Sequence, residues 1–141
     1  MVLIGVTEFS VSCAAPYALL AMSELLDRDR YEVLSLATED EDPLVHGVWE
    51  VGRFHPDEGE AQIIARGREV LLWLLDAGLI ELIRGTDVLD RSEAEREIRK
   101  LGWDYRDDQP WFRSTEAGMK LYMEFRPSWW KPFPPDLRPL T

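Results

Sequence analysis

The sequence predicts an α+β fold: several helices, a small antiparallel sheet that carries an inserted short helix, and an extended C-terminal tail. Three stretches carry this reading. Val70–Ile83 (VLLWLLDAGLIELI) reads as a helix, a glycine stop and a strand. Trp111–Tyr122 (WFRSTEAGMKLY) reads as a strand running straight into a capped helix. Between them, Ser92-Glu93-Ala94-Glu95 has the form of a capping box that opens a short helix.

At 141 residues the chain is long enough to bury a core without covalent staples. The pattern divides it into one domain over residues 1–125, with an acidic half at 1–60, and a tail at 126–141. Cys13 is the single cysteine, which excludes an internal disulfide and fits a reducing compartment. Flanked by apolar residues, it reads as a small buried hydrophobe. Met1–Ala15 lacks a basic first segment and is interrupted by Glu8, so a signal sequence is not expected. No run reaches the ~18 apolar residues of a membrane span. A cytoplasmic protein is the expectation.

Taken in order, Val2–Val11 fits a short strand and an extended lead-in equally well. Pro16 suits the first turn of a helix, where its missing N–H costs nothing; Leu19, Met22 and Leu26 then share one face. Asp27–Arg30 reads as a charged turn. Tyr31–Ala37 fits a helix and a strand equally. Glu39-Asp40-Glu41-Asp42-Pro43 reads as an acidic loop, without the alternating ligands and central glycine of a calcium loop. Val45, Val48 and Trp49 space as a short helix. His46 and His55, the only histidines, belong to no zinc-ligand pattern and read as surface or packing residues.

A long helix is expected from about Glu58 to Ala77, with Ile63, Ile64, Gly67, Val70, Leu71, Leu74 and Leu75 on one broad face. Gly78 sits where a left-handed residue stops such a helix. Leu72 and Trp73 fall outside the apolar face, which leaves two readings: burial between layers of one core, or a second face pressed on a partner. Leu79–Arg84 reads as a strand, and Glu95 and Arg99 as an i,i+4 pair in the helix that Ser92 opens. Trp111–Arg113 then returns antiparallel, and Thr115 or Ser114 caps the last helix. The tail holds Pro127, Pro132, Pro134, Pro135 and Pro139, with Trp129, Trp130 and Phe133 on an extended chain. That aromatic surface fits packing on its own domain or on another chain.

Asp76-Ala77-Gly78-Leu79-Ile80-Glu81 and Thr115-Glu116-Ala117-Gly118 resemble the "GLI-E" step and "T-x-x-G" helix of winged helix-turn-helix domains. The likeness covers Arg68–Phe125. It is strongest to small actinobacterial proteins of unknown function that carry a helix and a tryptophan inside the wing, here Ser92–Leu101 and Trp111. The resemblance implies a fold and no task, since fold does not fix function.

Charge bears on the task. The net charge is -11, and residues 1–60 hold 13 Asp/Glu against 3 Lys/Arg. Such a surface repels phosphate unless cations are locally concentrated. No spacing ties a nucleophile to a base, and no phosphate-cradling glycine loop is present. Neither catalysis, cofactor nor metal is therefore expected. A non-catalytic acidic binding protein (adaptor, immunity or inhibitor protein, or nucleic-acid mimic) is the expected function, acting by protein–protein contacts on a partner with basic character. Its candidate contact residues are Glu39, Asp40, Glu41, Asp42, Leu72, Trp73, Trp129, Trp130 and Phe133. The alternative is a winged-helix transcriptional regulator, homodimeric through Leu72, Trp73 and the tail, contacting DNA through Gln62, Arg66, Arg68, Arg84 and Arg91.

Overall fold

The computed structural model describes residues 16–131. The readings of Val2–Val11, of Cys13 and of the tail from Pro132 onward, Phe133 included, lie outside the described residues. Six helices and a four-stranded antiparallel sheet make up the rest. Among the described residues no helix is long and apolar enough to cross a membrane.

Helix α1 spans Pro16–Ser23 and ends as the Ser23 hydroxyl donates to the Leu20 carbonyl at 2.6 Å. Asp27–Arg30, expected as a turn, instead starts a helix. The Asp27 carboxylate accepts the Arg30 N–H at 2.9 Å and caps α2, Arg28–Glu39. The three central apolar residues of Tyr31–Ala37 cannot choose between periods. With Tyr31 and Ala37 counted, the buried set Tyr31, Val33, Leu34 and Ala37 follows one helical face. The acidic stretch is only partly a loop, because Asp42–Pro43 forms strand β1. A proline is tolerated there because β1 lies at the sheet edge.

Helix α3, Val45–Arg53, follows directly. Its first N–H, from Val45, donates to the side chain of the buried Gln109 at 2.7 Å. Helix α4 spans Glu60–Asp76, two residues shorter at its start than expected. The Gln62 side chain turns back to accept the Gly59 N–H at 3.2 Å. At its other end the Gly78 N–H reaches the Leu75 carbonyl and the Leu79 N–H the Leu74 carbonyl. That pair of bonds needs a left-handed residue at Gly78, whose φ is 75°.

Strands β2 (Ile80–Arg84) and β3 (Asp87–Val88) form a tight hairpin, and helix α5 spans Arg91–Arg99. Its cap is Asp90, which accepts the Glu93 N–H at 2.8 Å, and not Ser92. An aspartate two residues upstream of the expected serine serves equally well as a cap. The Glu95 carboxylate pairs back to Arg91 at 3.5 Å, in place of the expected pairing to Arg99. Strand β4 (Trp111–Ser114) lies between β1 and β2, giving the order β1-β4-β2-β3. Thr115 caps helix α6, Glu116–Glu124. The helices pack on the sheet face that presents Leu82 and Phe112. Leu34, Leu71, Leu74 and Leu121 complete a fully buried centre around these two.

The start of the tail is a turn and not an extended chain: the Trp130 N–H donates to the Pro127 carbonyl at 3.0 Å. It packs on its own domain. The Trp129 indole donates to the Leu26 carbonyl at 2.7 Å and meets Tyr31 edge-on, ring centroids 5.5 Å apart. Burial, with Tyr122 second, pushes the Tyr31 phenol up to about 12.

Two consequences are testable. The α6 backbone approaches the end of α4 so closely that a Cβ on Gly118 would lie 2.1 Å from the Leu79 carbonyl oxygen. Gly118→Ala is expected to lose about 3 kcal/mol in urea denaturation, whereas Gly102→Ala, with open space around it, should stay within about 0.5 kcal/mol. Equal losses would show that the approach is relaxed. For Tyr31, the unfolded chain releases the phenol proton near ~10 and the folded chain near 12. Its stabilising contribution is thus complete below pH 10 and is lost as pH rises through 12. Tyrosinate absorbance should show one late phenol that vanishes in Tyr31→Phe, with a shallower alkaline loss of stability.

Candidate docking face of the sheet

Side chains alternate across a strand, so the inward Leu82 and Phe112 leave Glu81, Ile83, Trp111 and Arg113 on the outer face. The register then builds two rows. Pro43 and Ile83 both pair with Trp111, and Val88 pairs with Ile83, which makes an apolar row across all four strands. Beside it runs an ionic row. The Arg113 guanidinium donates to Glu81 at 2.8 Å and to Glu41 at 3.1 Å. Pairing with Glu81 first, then Glu41, raises the Arg113 pKa further above its ordinary value.

Ile83 is 3 % exposed yet stands apart from the main core. Trp111, 41 % exposed, forms the wall above it. Together with Glu41 and Gly85 they line an open hollow of about 310 Å³. The exposed Glu39 and Asp40 continue the acidic edge from Glu41, whereas Asp87, opposite Arg84 in the hairpin register, alternates to the other face. Arg84 adds little free positive charge, being held by Glu93 at 3.3 Å, Glu97 at 3.5 Å and the Asp108 carbonyl. What the face offers chemically is an apolar strip with a carboxylate border.

Of the nine residues expected to meet a protein partner, the eight described do not form one patch. Glu39, Asp40, Glu41 and Asp42 sit at the C-terminal end of α2. Asp40 accepts the Glu41 N–H at 2.7 Å, and Asp42 pairs with His46 at 3.1 Å. Trp73 lies beside the other end of that helix, about 18 Å away by helix rise, under the Arg30 guanidinium at 4.2 Å. Leu72 and Trp73 are both half-buried against the core. Trp129 and Trp130 gather at the same end around Tyr31, and Phe133 lies outside the described residues.

The residues expected to meet DNA are dispersed and occupied. Gln62 closes the start of α4. Arg66 donates to both oxygens of Glu58, at 2.6 and 2.7 Å. This pairing lowers the Glu58 pKa and raises that of Arg66. Arg68 turns inward to the Leu101 carbonyl, and Arg91 pairs with Asp76.

A second hollow, about 230 Å³, lies between Asp27, Arg28, Asp29, Phe54 and His55. His55 contacts Asp29 at 2.8 Å and Glu58 at 3.5 Å. Close by, burial and then the Glu50 charge raise the Glu32 carboxyl above its ordinary range. Among the described residues, no group of three or more His, Cys, Asp or Glu is placed to hold a metal ion.

Sequence reasoning marked Trp111 only as part of the resemblance and overlooked Ile83, Glu81 and Arg113. The alternation in Trp111-Phe112-Arg113 was the available signal; the pairing that puts Glu41 beside Arg113 had no local trace. No protein-family model matches the chain, and no significant match was found among curated proteins or solved structures.

Proposed function

We propose that the chain is a non-catalytic acidic binding protein on a winged-helix-like scaffold, acting in the cytoplasm through protein–protein contacts of the adaptor, inhibitor or nucleic-acid-mimic kind. The observation that carries this is the outer sheet face, where an exposed tryptophan and an apolar row lie beside carboxylates, two of which, Glu41 and Glu81, share Arg113. Apolar anchors bordered by one sign of charge suit a partner that is steered electrostatically and held by a few buried side chains. The winged-helix-like reading of the scaffold rests on the interlocked Gly78–Glu81 and Thr115–Gly118 segments.

The regulator alternative needs cations free to meet phosphate. Arg66, Arg84 and Arg91 each face a carboxylate, and Arg68 a carbonyl. Pairs this exposed are weak in themselves, but each places a carboxylate beside the cation that a phosphate would have to approach.

Fluorescence anisotropy with labelled duplex DNA at low and moderate salt decides between them, with Arg66→Glu/Arg68→Glu as control. The expected outcome is no binding at either salt. Binding that weakens with salt and disappears in the double variant would replace this proposal with the regulator.

A further inference from the structure

Of the six tryptophans among the described residues, five have company. Trp49 donates its indole N–H to the Trp103 carbonyl at 2.8 Å, and Trp129 donates to Leu26. Trp73 lies under Arg30, and Trp130 lies 5.1 Å from the Arg126 guanidinium. Trp103 packs half-buried against the core. Trp111 differs. Among the described residues its indole N–H has no acceptor, and no ring or guanidinium covers its face, although 41 % of it is exposed.

Resting on the protein-binding reading above, we infer that the hollow beside Trp111 takes an arginine side chain from a basic segment of a partner protein, its guanidinium on the indole face and beside Glu41. Charge selects the class of occupant. Glu41 lines the hollow, and the exposed Glu39 and Asp40 continue the edge, so a phosphate backbone is repelled. A second copy of this chain, at -11, is repelled too.

Geometry selects arginine over lysine. A planar guanidinium stacks on an indole and still directs N–H groups sideways to a carboxylate, whereas an ammonium acts as a point charge. The molecule covers its own aromatic rings this way, with Arg30 on Trp73, Arg28 on Phe54, and Arg126 on Trp130 and Tyr122. Arg113 does not take that place: its guanidinium lies in the ionic row against Glu81 and Glu41. Gly85 leaves the far side of the hollow open, with no atom within 4 Å of where a Cβ would stand.

The test uses two fluorescein-labelled nonapeptides of alternating glycine with four arginines or four lysines, titrated with the full chain at low salt. The arginine peptide is expected to bind, and the lysine peptide about fivefold more weakly. Trp111→Ala should weaken the arginine peptide about fivefold and erase the difference between the two, while Glu41→Gln should weaken both. Trp111→Leu, which keeps an apolar cover over Ile83, guards against a folding defect and should behave like the alanine variant. Equal affinity for the two peptides, undiminished binding by either Trp111 variant, or no binding of either peptide would overturn the inference. Salt-sensitive peptide binding that ignores Trp111 would sink this site alone and leave the acidic-binder reading standing. Salt-sensitive binding of duplex DNA, lost in Arg66→Glu/Arg68→Glu, would remove both.

Discussion

Everything on the sheet depends on how the start of α6 is fastened to the end of α4. The Thr115 N–H donates to the Leu79 carbonyl at 3.0 Å, and its hydroxyl donates to the Gly78 carbonyl at 2.6 Å. The same hydroxyl oxygen accepts the Gly118 N–H at 3.1 Å. Thr115 therefore caps one helix while holding the stop signal of another, and the missing side chain of Gly118 lets the two backbones close. Without the Thr115 donor the carbonyl of the fully buried Leu79 would lack a partner, at a cost of about 1–3 kcal/mol.

The fastening also sets the register. With Thr115 against Leu79, Ser114 must face Ile80, and the pairings Glu81 with Arg113 and Ile83 with Trp111 follow. Because the side-chain period of a strand is two, a slip of one residue would turn Phe112 outward and Trp111 into the core. The ionic row and the exposed tryptophan are thus products of one hydrogen-bonded corner, about four residues away along β4. The buried Gln109 plays a similar part at the opposite end, tying the approach to β4 to the first turn of α3.

What was legible in the sequence was local. A helix ending in Gly78, a strand after it and a threonine-capped helix each announce themselves within a few residues, and each is present. So is the antiparallel return of Trp111–Arg113. Where the reading went astray, the deciding partner lay outside the window. Asp90 and Ser92 are both good caps, and only the course of the chain after β3 chooses between them. Strand β1 has two residues, one a proline, and exists because β4 offers an edge; no propensity could reveal it. The partners of the arginines were hidden for the same reason. Glu58 is eight residues from Arg66 and Asp76 fifteen from Arg91, so neither pairing leaves a local trace in the sequence.

Such pairing gives the net -11 its meaning. Cations tied to carboxylates do not lower the total charge, but they remove the local positive sites at which a polyanion could begin to bind. Excess carboxylates near the sheet edge keep their field, and at ordinary ionic strength it reaches about 8 Å. A partner approaching the outer face meets that border before it meets Trp111 and Ile83. Long-range attraction and short-range burial are therefore arranged in sequence over one surface. Arg113 has a further effect within it: by joining Glu41 to Glu81 across three strands, it stops the two carboxylates from repelling each other and holds Glu41 at the edge of the hollow. Removing that guanidinium would increase the negative charge of the face while loosening the side chain that defines its rim. Charge and shape at this surface are thus coupled through one residue.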